Sequence, residues 1–197
     1  MKDTLVVYTD FVCPWCYIGD VYLQEALAEH PMKVTYVMYP LHPETPFSGL
    51  TLDELFAGRG IDVGAAQRAI RDKAISLGLE FADRTHTFNS RSAQIIGKAM
   101  VEQQLFDQYR PAVFHSYFGR GENISSLEVL QSILDTMQIG KWDASELLEN
   151  ATYQEQVDRD WEICRQDNIS GVPSYKYGNR SCFGAQTSAS LLELFKY

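Results

Sequence analysis

The sequence of 197 residues lacks a hydrophobic run long enough to cross a membrane, which takes about 18 residues or more without a charge. Its most apolar stretch lies between Asp10 and Asp20 and contains a proline. A secretory leader is not indicated either, because an aspartate directly follows Lys2 and the apolar run after it is short. We therefore expect a cytoplasmic protein without a membrane partner.

Basic residues are the minority among the charged ones. The sequence has 17 Lys and Arg against 26 Asp and Glu, a net charge of −9, and no cluster of basic residues. This sign is opposite to that of proteins that bind nucleic acid or anionic lipid, so we expect neither as a partner. Hydrophobic residues make up 45% and charged residues 22%, a balance typical of a globular protein.

Cysteines are also few. Four are too few for a disulfide scaffold in a chain of this length. A zinc site is not indicated, because a second Cys-x-x-Cys or a His-x-x-x-His is missing and the four histidines are scattered. Two of the cysteines do form one Cys-Pro-Trp-Cys motif, at positions 13–16.

This motif lies inside a predicted βαβ unit. Residues 4–9 (TLVVYT) predict a strand, and the motif leads into an amphipathic helix that should end near His30, before a proline. Residues 34–39 (VTYVMY) predict a second strand, most simply parallel to the first.

Residues 49–168 show helical periodicity and no convincing strand. Helices are predicted over 61–77 and 90–104, and capping boxes that start at Ser125 and Asp143 predict two more.

The sequence after this block predicts strands at 174–177 and 181–183 around a Gly-Asn turn, followed by a final helix. Because α/β segments at 1–48 and 169–197 flank the helical segment 49–168, we interpret the chain as one α/β domain with a large all-helical insertion.

The position of the motif, after a strand and at the start of a helix, suits redox chemistry. Cys13 would occupy the N-cap and Pro14 the first helical position, where the helix dipole favours the thiolate form of a cysteine. Cys16, one turn further on, would lie on the same face and close a disulfide with Cys13. An inert structural disulfide is disfavoured in a cytoplasmic protein, while two unrelated buried cysteines stay an alternative.

The motif also resembles a known family. DFVCPWCYIG at positions 10–19 is similar to the active-site stretch of the DsbA-like thioredoxin superfamily, above all to its FrnE-like branch. The resemblance implies a thioredoxin fold with the helical block inserted into it. Further segments match in order: YPLHPETP (39–46), TFNSRSAQ (87–94), FHSYFGRGENIS (114–125), DNISGVPSYKYG (167–178) and FGAQTSASLLELF (183–195).

The resemblance implies a role for Pro173. In such folds the corresponding proline is cis and faces the redox pair, and the residue before it, here Val172, offers its backbone to a bound peptide. The alternative is that Pro173 only starts the strand that follows it.

The resemblance also bears on the residues around the cysteines. Together with Pro14, Trp15 would tune Cys13 and offer the partner an apolar platform, or it simply packs on its helix. Strongly oxidising relatives carry histidine at this position. Tryptophan supplies no charge, so we expect a less oxidising disulfide. Phe11, with Val12 and Tyr17, would form an apolar rim for a peptide substrate or pack in the core.

Three further residues have two interpretations each. Cys164 and Cys182 are interpreted as small buried hydrophobic residues, with a second redox pair as the alternative. Asp10 would relay the proton of Cys16 or lie at the surface beside a strand.

We predict a protein-disulfide oxidoreductase that needs no metal and no bound organic cofactor. Cys13 would be the nucleophile and Cys16 the resolving thiol. Its partners would be protein or small thiol and disulfide substrates and a cellular thiol reductant, and glutathione is a candidate co-substrate.

Two other functions stay open. Relatives resembling 2-hydroxychromene-2-carboxylate isomerase and kappa-class glutathione transferase share the inserted helices and use glutathione. They carry serine where this sequence has Cys13, and an acidic residue where it has Gly-Ala-Gln at 184–186, although Asn89 falls in a shared segment. A peptide-binding or chaperone module without turnover would use an apolar groove near Trp15.

Overall fold

A computed structural model describes residues 4–137 and 140–196 of the chain. These residues divide into two compact units. The first unit consists of the residues up to Leu41 and those from Arg159 onward, and the second unit is His42–Asp158. Within the described residues, no helix combines the length and the apolar character needed to cross a membrane.

The strands and helices follow one another in an order that alternates near both ends and is mainly helical between them. In chain order they are β1 (Thr4–Thr9), α1 (Pro14–Glu29), β2 (Lys33–Met38), β3 (Leu50–Thr51), α2 (Leu52–Leu55), α3 (Val63–Ser76), β4 (His86–Thr87), α4 (Arg91–Glu102), α5 (Phe106–Phe114) with a π-helical turn (His115–Gly119), α6 (Leu127–Thr136), α7 (Ala144–Glu149), α8 (Ala151–Gln166), β5 (Ser174–Tyr177), β6 (Arg180–Phe183) and α9 (Ser188–Phe195).

The first unit contains a four-stranded sheet in the order β2-β1-β5-β6. β1 pairs in parallel with β2 and antiparallel with β5, so that Tyr8 lies opposite Val37 on one side and Ser174 on the other. The parallel βαβ unit, the hairpin of the last two strands and the α/β class are therefore confirmed. The fold is a thioredoxin fold.

One face of this sheet packs against α1 and α9. Alternate residues of a strand point to the same side, which places Leu5 and Val7 of β1 beside Tyr175 of β5. Each such buried side chain contributes roughly 1.5–3 kcal/mol to folding. The buried cluster comprises Leu5, Val7, Leu23, Ala26, Tyr175, Leu191, Leu194 and Phe195.

The second unit is mainly helical, with α4 packed against α5 and α7, and α6 packed against α5 and α7. The expectation that residues 49–168 contain no strand is wrong. β3 and β4 form a short antiparallel ladder, with Leu50 opposite Thr87 and Thr51 opposite His86. Two residues per strand are too few for an alternating pattern to be visible in the sequence.

The predicted capping box at Ser125 is also wrong. The N-cap of α6 is Ser126, without a side-chain capping bond, and the Ser125 hydroxyl instead donates to the carbonyl of Phe47 at 2.8 Å. The cap predicted at Asp143 is confirmed, because its carboxylate accepts from the backbone N–H of Ser145 at 2.8 Å.

The boundaries between the two compact units lie between residues 41 and 42 and between residues 158 and 159. The second boundary falls within α8. The predicted division into 1–48, 49–168 and 169–197 follows changes in the type of element rather than packing, and it stays a prediction.

A hydrogen-bonded pair lies on the other face of the sheet. The Tyr8 hydroxyl donates to the carboxylate of Asp167, which also accepts from the Lys176 ammonium at 3.0 Å. The hydrogen bond from Tyr8 and then the one from Lys176 lower the pKa of Asp167. Burial, and next the hydrogen bond to Asp167, raise the pKa of Tyr8. The pair joins the segment after α8 to the strands that carry the candidate site.

This pair predicts an acid-dependent contribution to stability. Because folding lowers the pKa of Asp167 from its ordinary value of 3.8, its contribution is present above that value and is lost as the pH falls through the native one. We expect Asp167→Asn to destabilise the protein by about 1 kcal/mol at pH 7, and the difference from wild type to shrink below pH 4. Urea unfolding at several pH values measures this.

The control is Asp135→Asn, since the exposed Asp135 carboxylate accepts one bond, from Gln131. A difference between wild type and Asp167→Asn that stays constant from pH 7 to pH 3 would contradict the prediction.

Candidate redox site

Cys13 lies where the turn after β1 enters α1. It is the N-cap residue, with φ −87° and ψ 114°, and its side chain makes no capping hydrogen bond. Pro14 occupies the first position of the helix, where its missing N–H leaves no bond unmade. The carbonyl of Cys13 accepts from the backbone N–H of Cys16 at 3.0 Å and of Tyr17 at 3.3 Å. The thiol thus lies at the positive end of a 16-residue helix, which favours negative charge.

Cys16 lies one turn further into α1, buried and as a free thiol like Cys13. Burial, and next a hydrogen bond with Cys13 and the charge of Cys13, raise the pKa of Cys16 well above its ordinary value. Bonds from the Asp10 backbone and the Thr9 side chain lower it in part. At neutral pH Cys16 is therefore protonated, and it differs from Cys13 in lying one turn inside the helix rather than at its N-terminus.

The loop before β5 faces Cys13. The Val172–Pro173 peptide bond is cis, and the Cys13 thiol donates to the carbonyl oxygen of Val172 at 3.3 Å. The carbonyl of Pro173 accepts from the backbone N–H of Gly184 at 2.8 Å, which ties the loop to the end of β6. The pairing of β1 with β5 brings these sequence-distant residues together.

Gly19 permits the close approach of α1 to this loop. A Cβ at position 19 would lie 2.7 Å from the Tyr175 hydroxyl oxygen and 3.2 Å from Cγ of Pro173. Gly19 was not among the site residues predicted from the sequence. The signal that could have indicated it is a glycine inside a predicted helix, since glycine there costs about 1 kcal/mol of helix stability relative to alanine.

Asp10 is completely buried beneath the site. One carboxylate oxygen accepts from the backbone N–H of Val12 at 3.2 Å and the other from that of Leu41 at 2.9 Å. Its carbonyl accepts from the N–H of Cys13 at 3.2 Å. The surface position considered for Asp10 is therefore wrong. Asp10 joins the turn before the cysteines to the chain that follows β2.

The neighbouring aromatic residues divide between surface and core. The Trp15 side chain is 43% exposed beside the cysteines, as a platform for a partner requires. Phe11 has no exposed surface, and Val12 and Tyr17 have almost none. The expected substrate contact of the Phe11 side chain is therefore corrected to core packing, because a fully buried ring cannot touch a partner.

The other two cysteines lie elsewhere in the first unit. Cys164 on α8 is buried and donates to the carbonyl of Met38 at 3.5 Å. Cys182 on β6 is half-buried, and burial raises the pKa of its thiol. Both are free thiols. In the ranges 4–137 and 140–196, no group of three or more His, Cys, Asp or Glu side chains is arranged to hold a metal ion.

A sheet of this topology, with a cysteine pair at the start of the helix after its first strand, defines a protein of the thioredoxin-fold class. The chain belongs to the family of DSBA-like thioredoxin domains, which it matches over residues 4–196.

Similar proteins span nearly the whole chain. The protein YwbO of Bacillus subtilis (strain 168), described as uncharacterized, is 22% identical over 194 residues, which cover 94% of this chain and 92% of YwbO. The probable DsbA oxidoreductase SCO1869 of Streptomyces coelicolor superposes with a TM-score of 0.88 at 19% identity, covering 98% of this chain and 88% of that one.

Two further solved structures share the fold. A 2-hydroxychromene-2-carboxylate isomerase has a TM-score of 0.72 at 19% identity and covers 96% of this chain and 92% of its own. The cytosolic disulfide reductase DsbM of Pseudomonas aeruginosa, solved with GSH, has a TM-score of 0.64 at 16% identity. The match covers 98% of this chain and 93% of the DsbM chain. At these identities the likeness is one of fold.

The buried carboxylate of Asp10 generates a stability prediction. In Asp10→Asn the amide NH₂ replaces one acceptor and faces a backbone N–H, which leaves a buried donor without a partner. We expect a loss of about 1–3 kcal/mol in the free energy of unfolding of the reduced protein, measured in urea.

The matched control is Asp72→Asn on the exposed side of α3, which should change stability by less than about 0.5 kcal/mol. Equal stability of Asp10→Asn and wild type would show that the two bonds to Val12 and Leu41 do not depend on the carboxylate.

Proposed function

We propose that the protein is a thiol–disulfide oxidoreductase whose working group is the Cys13–Cys16 pair. The observation that carries the proposal is the inequality of the two thiols. Both thiols are buried, but Cys13 lies at the helix N-terminus against the Val172 carbonyl, whereas Cys16 lies one turn inside the helix with a raised pKa. Membership of the DSBA-like thioredoxin domain family supports the same chemistry.

In the reducing direction, the Cys13 thiolate attacks one sulfur of a substrate disulfide. The substrate S–S bond breaks, a mixed disulfide with Cys13 forms, and the departing sulfur takes up a proton. Cys16 then gives up its proton and attacks the Cys13 sulfur, which releases the second substrate thiol. The substrate disulfide gains two electrons and two protons, and the enzyme is left with a Cys13–Cys16 disulfide.

A thiol reductant restores the dithiol by the same steps in reverse, and a substrate dithiol oxidised by the enzyme follows that reverse path too. The protein therefore needs neither a metal nor a bound organic cofactor. We propose glutathione as a co-substrate, because it is a thiol of the reducing cytoplasm, where we place this protein. Likeness to a disulfide reductase named as cytosolic and solved with GSH supports both points.

The substrate peptide would lie beside the cysteines along the Val172–Pro173 segment, with Val172 offering backbone groups to it. The exposed Trp15, next but one to Cys13 in the chain, would provide an apolar contact. These contacts hold the substrate disulfide near Cys13 without selecting a particular side chain.

Removing one thiol at a time tests the proposal. Cys13→Ser should abolish reduction of a model disulfide such as insulin, because the attacking group is lost. Cys16→Ser should instead accumulate a mixed disulfide on Cys13, visible as a mass increase that dithiothreitol removes. Cys182→Ser, a control with the same substitution at a half-buried site, should retain full activity.

Unchanged activity of Cys13→Ser would contradict the proposal. Such unchanged activity together with micromolar, stoichiometric binding of glutathione would favour a glutathione-dependent isomerase or transferase instead. The geometry of Asn89 does not favour that alternative, since its side chain donates to the carbonyl of Thr45 at 2.8 Å and accepts from the backbone N–H of Arg91 at 2.9 Å.

The uncharged ring of Trp15 predicts a direction for the reduction potential. In Trp15→His a protonated imidazole beside Cys13 would stabilise the thiolate, and hence the reduced form, so the disulfide becomes more oxidising. The shift relative to wild type should be larger at pH 5.5 than at pH 8, because histidine titrates near pH 6.5. Equilibration with glutathione buffers measures it.

Phe47→His, a substitution of another exposed aromatic residue, in the second unit, is the control and should leave the potential unchanged. A Trp15→His shift that is the same at both pH values would show that charge is not the cause.

A further inference from the structure

A cavity of about 540 Å³ lies wholly within the second unit. We infer that it binds a small organic oxyanion, a carboxylate or a phosphate ester, that also carries a hydrogen-bond donor. Its volume is within the range of small-molecule sites, about 300–1,000 Å³. Its walls come from the start of α2, one face of α3 and the segment before β4. The charged and amide side chains that line it are Asp53, Gln67, Arg68, Arg71, Asp83 and Arg84.

Arg84 is the best-positioned cation of this cavity. Its guanidinium lies over the rings of Phe118 and Tyr117, at 4.6 and 4.8 Å from their centroids, and over Phe81 at 5.6 Å. Its Nε and Nη1 are covered and have no acceptor anywhere in residues 4–137 and 140–196. The aromatic faces hold the group in place, and no carboxylate of the described residues forms an ion pair with it, so Arg84 gives the cavity an uncompensated positive charge.

α3 presents two more guanidinium groups to the same cavity. Arg71 is ion-paired with the exposed Asp83. Arg68, one turn earlier on the same face, has no ion pair within the part of the chain that the structure describes. With Asp53 as the other acidic lining residue, the cavity keeps a net positive charge in a protein whose overall charge is −9. Two arginines without an ion pair among the described residues, one on α3 and one in the segment before β4, suit an oxyanion.

Gln67 is the reason why the inferred ligand must carry a hydrogen-bond donor. The residue lines the cavity, and its side-chain oxygen is buried and accepts no hydrogen bond from the described residues. A buried acceptor without a partner costs about 1–3 kcal/mol, which a ligand N–H or O–H would recover. Leu52, Val63 and Ala82 supply apolar wall. The chemistry of an N-acyl amino acid, or of a phosphate ester with a hydroxyl or amide group, fits all three features.

The cavity is independent of the redox site. All its lining residues lie in His42–Asp158, and neither cysteine of the motif is among them. The inference therefore stands or falls separately from the proposed oxidoreductase function.

Calorimetric titration of the full-length protein with three probes tests the inference. Hippurate carries a carboxylate, an amide N–H and an aromatic ring, and N-benzoylglycinamide is its neutral counterpart. The third probe, 4-hydroxyphenyl phosphate, carries a phosphate ester and a hydroxyl donor. We expect one-to-one binding of at least one anion at millimolar or lower concentration, and no binding of the neutral amide. Which anion binds distinguishes a carboxylate from a phosphate ligand.

Variants assign the binding to the cavity. Arg84→Gln and Arg68→Gln should each weaken the anion at least about tenfold, as expected for the loss of one charge-assisted bond. Arg59→Gln is the matched control, because Arg59 also stacks on an aromatic ring, Phe56 at 5.7 Å, but does not line the cavity. The Arg59→Gln variant should bind the anion with the same affinity as the wild-type protein.

Three results would overturn the inference: no binding of either anion, equal binding of hippurate and its neutral amide, or unchanged affinity in Arg68→Gln. If Arg84→Gln unfolds because its aromatic stack is lost, Arg68→Gln still decides, since Arg68 is exposed and its replacement removes no buried contact. Disulfide reductase activity of the same variants should stay at the wild-type level.

Discussion

The antiparallel pairing of β1 with β5 is the constraint on which the candidate site depends. With Tyr8 opposite Ser174, the residue just before β5 faces the helix that starts just after β1. The Cys13 thiol then lies 3.3 Å from the carbonyl of Val172, although 159 positions separate them in the chain. A slip of one residue in this register would turn the strand's other face to the core and separate the two groups.

Local interactions refine what the sheet brings together. The Asp10 carboxylate holds two backbone N–H groups beneath the turn, and Gly19 lets α1 approach the loop that contains Pro173. Position along the helix then makes the thiols unequal, because Cys13 lies at the helix N-terminus against the Val172 carbonyl while Cys16 lies one turn inside with a raised pKa. The same division between an attacking and a resolving sulfur underlies the proposed exchange reaction.

Much of this arrangement was predictable because it is local or follows from strong patterns. The strand, motif and helix around Cys13 are contiguous in sequence, and the family resemblance supplied the distant Pro173. Core packing of Phe11 was one of the two interpretations that the sequence offered. The burial of Asp10 was not predictable, since its carboxylate binds the backbone N–H of Leu41 in the chain after β2. Arg84 left no pattern in the sequence, because two of the rings beneath its guanidinium, Tyr117 and Phe118, belong to the distant π-helical turn and are brought to it by tertiary packing.

The central claim is that Cys13 and Cys16 form one reversible two-electron couple. Titration of the wild-type protein in glutathione redox buffers, with mass spectrometry of the alkylated peptides, measures that couple directly. The account predicts a single transition in which a Cys13–Cys16 disulfide forms while Cys164 and Cys182 stay reduced. Absence of a Cys13–Cys16 disulfide under oxidising conditions, or a transition carried by Cys164 and Cys182, would contradict it.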